Sequence, residues 1–267
     1  MKILSYNVYG VKETDAPIPK WETRQENIEA ILNSIFEDEE IKVACFQEVN
    51  ENNKTFLSNI LEKYHFKIVE MFPMKTSTYN QYNMIAVKDE TDLKIDFVFC
   101  LPHGKDMAYK DIEEQIIDYG MSDYRTTVFV YIVYNKISYL IGNIHTDYIS
   151  IEGKIKGMLK TLAYMDQIVA NHKIVIGDMN MVSHMAEVYQ ILKQNKNYVT
   201  ISRNNNFNIL DNSWHGYGTK EQVNVDFAFI EREKVDCYDY KIIKQANINK
   251  EGSDHRPIIL TIKNKEE

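Results

Sequence analysis

Cysteine is scarce in this 267-residue chain: Cys45, Cys100 and Cys237 are odd in number, far apart and in no C-x-x-C arrangement. That speaks against a disulfide framework or a zinc knot. Cys45 lies inside an apolar run and reads as a small core residue. Long hydrophobic runs are missing too, with no segment near the roughly 18 apolar residues needed to cross a bilayer. Polar residues follow soon after Met1-Lys2-Ile3-Leu4, so no signal peptide is read there. The expectation is a cytoplasmic protein without a membrane span. Only 5 prolines and 10 glycines occur, with no Ser/Gly linker, repeat or low-complexity tract. Nothing marks a boundary, and 1–267 reads as one domain.

Positive charge is also in deficit, since 31 Lys and Arg face 39 Asp and Glu for a net charge of −8. A nonspecific nucleic-acid binder usually shows the reverse balance. A metal ion or a local basic strip can still neutralise phosphate on an acidic protein. The run Glu37-Asp38-Glu39-Glu40 after a predicted helix reads as a solvated turn.

What the chain does have is core material, at 44% hydrophobic residues, arranged as many strands and a few helices. Strands are expected over 3–8, 41–47, 84–87, 93–100, 126–134, 137–144, 173–176, 223–230, 236–243 and 257–262, from their Val, Ile, Phe and Tyr content. Asn135-Lys136 is a hairpin turn candidate. Helical spacing covers 22–36, 52–64, 152–170 and 185–194. The stretch 102–120 fits no strand and reads as an insertion over the active-site face. Sheets inside and helices outside give an α/β (α+β) sandwich.

Several apolar runs end in groups that carry chemistry. Ser253-Asp254-His255-Arg256-Pro257 leads into Ile258-Ile259-Leu260, and a carboxylate beside a histidine at a strand edge is a chemical pair. Lys42 to Phe46 ends at Gln47-Glu48, and a carboxylate ending a buried strand must be hydrated, paired or metal-bound. With Asn7 it makes an oxygen-ligand set suited to a hard cation. In Gly177-Asp178-Met179-Asn180, residues two apart on an extended segment face one pocket. Asp178 can accept a proton from water, and Asn180 can fix that aspartate or donate to an oxyanion; a capping Asx at a strand-to-helix connection is the bland reading. His145 ends another strand. Asp226, inside the apolar run Val225 to Ile230, needs a buried partner, for which His255 is the candidate.

The ordered series Ser5-Tyr6-Asn7, Phe46-Gln47-Glu48-Val49, Asn143-Ile144-His145, Gly177-Asp178-Met179-Asn180, Val225-Asp226-Phe227 and Ser253 to Pro257 resembles the endonuclease/exonuclease/phosphatase superfamily, over almost the whole chain. The resemblance implies a four-layer sandwich of two packed mixed β-sheets flanked by helices. It implies hydrolysis of phosphate esters with magnesium, or manganese in its place. By position, Glu48 becomes the principal metal ligand, with Asn7 nearby and Asp254 on the metal side. Asp178 becomes the group that orients and deprotonates water, and Asn180 holds nucleophile and phosphate. His255, supported by Asp226, stabilises transition-state charge; His145 contacts phosphate or helps the leaving group; Arg125 approaches phosphate. Trp21, Arg24 and Ile28 resemble the family's first helix. In the deoxyribonuclease I-like branch a glutamate supports the first histidine, but Tyr79-Asn80-Gln81-Tyr82-Asn83 holds no acid here, leaving phosphate binding as the role of His145.

Three functions remain open on the sequence. The first is a magnesium-dependent phosphodiesterase, with a nuclease acting on DNA or RNA as the leading subtype. The second is a phosphatase or phosphodiesterase for a small molecule or lipid headgroup, in keeping with the acidic balance; Lys154, Lys156 and Lys160 on a predicted helix read as a solvated face. The third is an inactive adaptor on the same fold, against which the retained acids and His255 argue. Trp214-His215-Gly216-Tyr217-Gly218 is the candidate substrate-contacting loop.

Overall fold

Alternation of side chains within the apolar runs sets the architecture of this chain. The computed structural model describes residues 1–10, 19–75, 80–104, 119–182, 185–202, 212–217, 223–244 and 252–263. The first half runs β1 (Lys2–Asn7), α1 (Trp21–Asp38), β2 (Ile41–Val49), α2 (Glu51–Lys63), β3 (Phe66–Lys75), β4 (Asn80–Lys88) and β5 (Leu93–Pro102). The second runs β6 (Thr126–Tyr134), β7 (Ile137–His145), α3 (Ile151–Gln167), β8 (His172–Asp178), α4 (Ala186–Gln194), β9 (Tyr198–Ile201), β10 (Asp226–Glu231), β11 (Tyr238–Ile242) and β12 (Ile258–Ile262).

In β2, Val43 and Cys45 point into a core shared with Val128, Val130 and Ile132 of β6. Ala44 and Phe46, offset by one residue, face α1 and α2 through Ile28, Leu32 and Leu57. Phe129 of β6 likewise turns to α3, meeting Met158 and Leu162. Both faces of these strands are therefore buried, which is why they read as continuous apolar runs. The result is the expected four-layer sandwich: helices, sheet, sheet, helices.

One sheet has the order β11-β12-β1-β2-β4-β3 and the other β5-β6-β7-β8-β10-β9. Each is mixed, with β1–β2 parallel in the first and β7–β8 parallel in the second. The β6–β7 turn is tight, with both Asn135 and Lys136 at positive φ, as a two-residue hairpin with strand-matched twist requires.

Some expectations need correction. β3 and β9 are strands where none was anticipated; each lies at the edge of its sheet, where a half-covered strand carries a weaker apolar pattern. Residues Arg232–Cys237 form a 3₁₀ turn, so the strand expected from 236 starts at Tyr238. Glu39, in the acidic run, is tied to Lys2 at 2.6 Å and Lys241 at 2.8 Å rather than simply solvated. Lys154 is buried rather than on a solvated face. Most of the stretch 102–120 lies outside the described residues, as does Gly218. No helix among the described residues is long and apolar enough to cross a membrane.

Candidate active site

Strand register alone brings three of the expected residues into a row. His145 of β7 pairs with Asp178 of parallel β8, and Asp178 pairs with Asp226 of antiparallel β10. All three sit where their strands meet the same edge of the sheet. Gly177 makes the β7–β8 approach feasible: a Cβ there would lie 2.0 Å from the carbonyl oxygen of Ile144.

Asn7 and Glu48 come from the facing sheet. The β2–β4 register shifts between Phe46 and Val49, and Glu48 adopts φ +56, a backbone state a long side chain rarely takes. Together with Asn180 at φ +45 it places two left-handed non-glycine residues at one site, where such strain usually accompanies function. The kink turns the Glu48 carboxylate toward the row on the other sheet. Asn7 joins the two sides, its Nδ2 donating to Glu48 Oε1 at 3.0 Å and to Asp178 Oδ2 at 2.9 Å. Its Oδ1 accepts from the Tyr9 amide at 2.9 Å, so serving as an oxygen ligand would require the amide to turn over.

Asp178 is the hub. The Asn180 amide donates to its Oδ1 at 2.8 Å, while Asn180 Nδ2 donates to the Thr146 carbonyl at 3.0 Å. Burial pushes the Asp178 carboxyl above the usual range, and the Asp226 charge adds to that, against the pull of His255, the Asn180 amide and Asn7. His255 Nδ1 lies 2.8 Å from Asp226 Oδ2, and its Nε2 lies 3.7 Å from Asp178 Oδ2 and 3.9 Å from Asp254 Oδ1. Burial opposes its charge, but Asp226, Asp254 and Asp178 outweigh it and hold the imidazole well above its ordinary value. The Ser253 hydroxyl donates to the Asn7 carbonyl at 2.7 Å, which ties this loop to the end of β1.

His145 behaves oppositely. Arg125 Nη1 lies 3.1 Å from His145 Nδ1 and 3.4 Å from its Nε2, while Nε2 also faces Asp178 Oδ2 at 3.5 Å and Glu48 Oε1 at 3.9 Å, acceptors that suit a proton on Nε2. Burial, then Arg125, His255 and His103, keep His145 neutral, well below its ordinary value. Arg125 thus sits behind His145, itself buried, instead of standing open to the pocket.

Three partners were not foreseen. Gln81 donates to Glu48 Oε2 at 3.3 Å, in the segment where an acid was sought. Trp214 Nε1 donates to Asp254 Oδ2 at 3.0 Å, so this loop aromatic orients a carboxylate. Asp147 is fully buried and accepts from the amides of Ser122, Asp123, Ile149 and Ser150 and from the Ser122 hydroxyl, pinning the turn after His145. The Asp147-x-x-Ser150 spacing ahead of a helix is a local Asx pattern that could have flagged it. Arg24 does not reach the cleft with a free guanidinium; it donates to the carbonyls of Val8, Tyr9 and Gly252.

The donor set fits a hard cation. Atoms of Glu48, His145 and Asp178 lie within 4.8 Å of one another, as do those of Asp178, Asp226 and His255. Four carboxylates, Glu48, Asp178, Asp226 and Asp254, surround one imidazolium, and among the described residues Glu48 has only neutral donors and the neutral His145 beside it. That leaves a negative excess which a divalent ion would balance.

No family model matches the sequence. No curated protein matches it either. Solved structures do match in shape. An endonuclease/exonuclease/phosphatase from Bacteroides vulgatus aligns with TM-score 0.74 at 14% identity, covering 98% of both chains. The mannosyl-6-phosphatase Bt3783 of Bacteroides thetaiotaomicron VPI-5482 aligns at TM-score 0.70 and 12% identity, over 98% of this chain and 99% of the other. D. rerio TDP2, complexed with a single-strand DNA product, aligns at TM-score 0.69 and 12% identity over 99% of each. Over nearly its entire length, therefore, this chain has the endonuclease/exonuclease/phosphatase fold.

Proposed function

We propose that this chain, acting as one domain, is a divalent-metal-dependent hydrolase of phosphate esters that directs water in line at phosphorus. One observation carries the reading: His145, Asp178 and Asp226 stand in register across three strands, with His255 on Asp226 and Glu48 facing them from the other sheet.

Asp178 takes the proton from water. Its raised proton affinity suits that task, and the Asn180 amide and Asn7 hold the carboxylate in one orientation. Asn180 Nδ2 lies beside the same pocket and helps fix the phosphate. His255 presents a charged Nε2–H to the developing negative charge, with Asp226 fixing its tautomer. His145, held neutral by burial and by Arg125, donates Nε2–H to a phosphate oxygen. A magnesium or manganese ion held by Glu48, with Asp254 and Asn7 on that side, would neutralise non-bridging phosphate oxygens. No side-chain nucleophile is required.

On the sequence a nuclease leads, and the fold includes a protein with a DNA product as well as a sugar phosphatase. A specific observation favours the second reading, a small phosphate ester. Of the lysines on α3 that a nucleic-acid backbone would use, Lys154 is drawn into the fold instead of lining the outer face of the helix, and Lys160 donates to the Gly104 carbonyl at 2.6 Å. The strip is broken.

The test is hydrolysis by the purified protein with magnesium, manganese or EDTA, against DNA, RNA, sugar phosphates and lipid headgroups. EDTA-sensitive turnover that Asp178→Asn abolishes supports the proposal; full activity in that variant overturns it. Cleavage of oligonucleotides alone would return the nuclease to first place.

A further inference from the structure

Lys154 is placed against the usual rules. It lies in the first turn of α3, after the Ser150 cap, where the helix dipole disfavours a positive charge. Its stem is buried, the residue being only 8% exposed, while its ammonium keeps contact with solvent and has no hydrogen bond or ion pair among the described residues. A lysine that buries its stem and leaves its ammonium uncommitted at the open end can offer that charge to a ligand arriving from solvent.

The helix is built to bring it there. A Cβ at Gly153 would lie 2.4 Å from Met121 Cγ, and one at Gly157 would lie 2.7 Å from His103 Nδ1. Two glycines thus let α3 press against the 103 and 121 segments, close to the edge where β7 and β8 end at His145 and Asp178. The acids that act on the Lys154 ammonium are Glu187, Asp147 and Asp178, none of them in an ion pair with it. Asp147 is already satisfied by the turn it pins.

Other cations at this end are committed. Arg125 is held by His145 and Asp123, and Arg24 by backbone carbonyls. Lys154 keeps three N–H donors for a ligand.

We propose that Lys154 binds the terminal oxygens of the substrate phosphate, which makes phosphomonoesters the substrate class of this site. A monoester carries nearly two charges at neutral pH and a diester one, because the second phosphate ionisation lies near pH 6. A point-charge donor such as lysine answers that extra charge without demanding a fixed plane. The inference rests on the hydrolase reading above.

The test compares wild type, Lys154→Gln and Lys154→Arg on p-nitrophenyl phosphate and on methyl p-nitrophenyl phosphate, which share a leaving group and differ by one charge. Inorganic phosphate binding in magnesium is titrated in parallel, and circular dichroism checks the fold. Lys154→Gln is expected to lower kcat/KM on the monoester and weaken phosphate binding by about tenfold or more, as loss of a charge-assisted hydrogen bond implies. The diester is expected to change less than twofold, with Lys154→Arg intermediate. Equal losses on both esters, or unchanged phosphate binding, overturn the inference while leaving the hydrolase reading intact. Absence of Asp178-dependent turnover on either ester sinks the hydrolase reading instead, and phosphate titration then still decides whether Lys154 is an anion ligand.

Discussion

Gln47 and Asn143 meet across the interface of the two sheets, with Gln47 Nε2 donating to Asn143 Oδ1 at 2.7 Å. Gln47 also donates to the Ser5 hydroxyl, and Asn143 Nδ2 reaches the carbonyls of Phe46 and Met84, each at 2.9 Å. Gln47 immediately precedes Glu48, and Asn143 stands two residues before His145. Along with Asn83, which donates to the Thr126 carbonyl at 3.0 Å, and Asn7, which donates to Asp178, this contact ties the two sheets together and links the strand ends that carry Glu48 and His145.

Asn143→Leu is expected to destabilise the protein by about 2–4 kcal/mol, because buried carbonyls and the Gln47 amide lose their partners at once. Urea unfolding measures it. A loss under about 0.5 kcal/mol would mean that this contact does little to align the sheets.

Glu48→Gln keeps the shape of the side chain and removes its charge. Asn7 donates to one carboxylate oxygen and Gly10 and Gln81 to the other, so the glutamine oxygen can keep one of these two sets and the other loses its acceptor, a local loss that the fold is expected to survive. Magnesium affinity, read from the rise in melting temperature with added metal, is expected to fall at least about tenfold. An unchanged metal response would remove Glu48 from the ligand set.

His103 ties stability to pH. Its Nε2 bonds Thr127 Oγ1 at 2.9 Å, and its Nδ1 has no partner among the described residues. Burial, helped by Lys160 and Arg125, lowers its pKa to about 3. The unfolded chain, titrating near 6.5, therefore binds the proton more tightly than the folded one. Stability is full above about pH 6.5 and falls as pH drops toward 3. Between pH 7.5 and 5.5 His103 is expected to account for about 1.4 kcal/mol of lost stability. In His103→Gln that share of the pH dependence should vanish, whatever the variant's absolute stability; a parallel profile would refute the assignment.

Much of the site was legible because it lies in strand-end motifs. A carboxylate, amide or histidine that terminates an apolar run has few places to go except a sheet edge, so Glu48, His145, Asp178, Asn180, Asp226 and His255 all stood out. Strand and helix identities followed from periodicity, except at the edges. β3 and β9 are half-covered, and Pro73 in β3 is tolerated because an edge strand need not donate every amide.

Other features depended on contacts between distant segments. Nothing local to Arg125 says that its guanidinium rests on the His145 ring, twenty residues away, and so helps burial keep that ring neutral. Trp214 meets Asp254 only after the chain has returned through β10 and β11. Lys154 looked like one more lysine on a helix face until the docking of α3 showed which face was covered.

By itself, then, the order of residues determined the alternation that builds two doubly covered sheets and the chemical types at their shared edge, since both are properties of neighbours along the chain. Only the tertiary structure decided how those groups are charged and paired. Burial and long-range partners set proton affinity, tautomer and exposure, and these arise when segments far apart in sequence exclude water together.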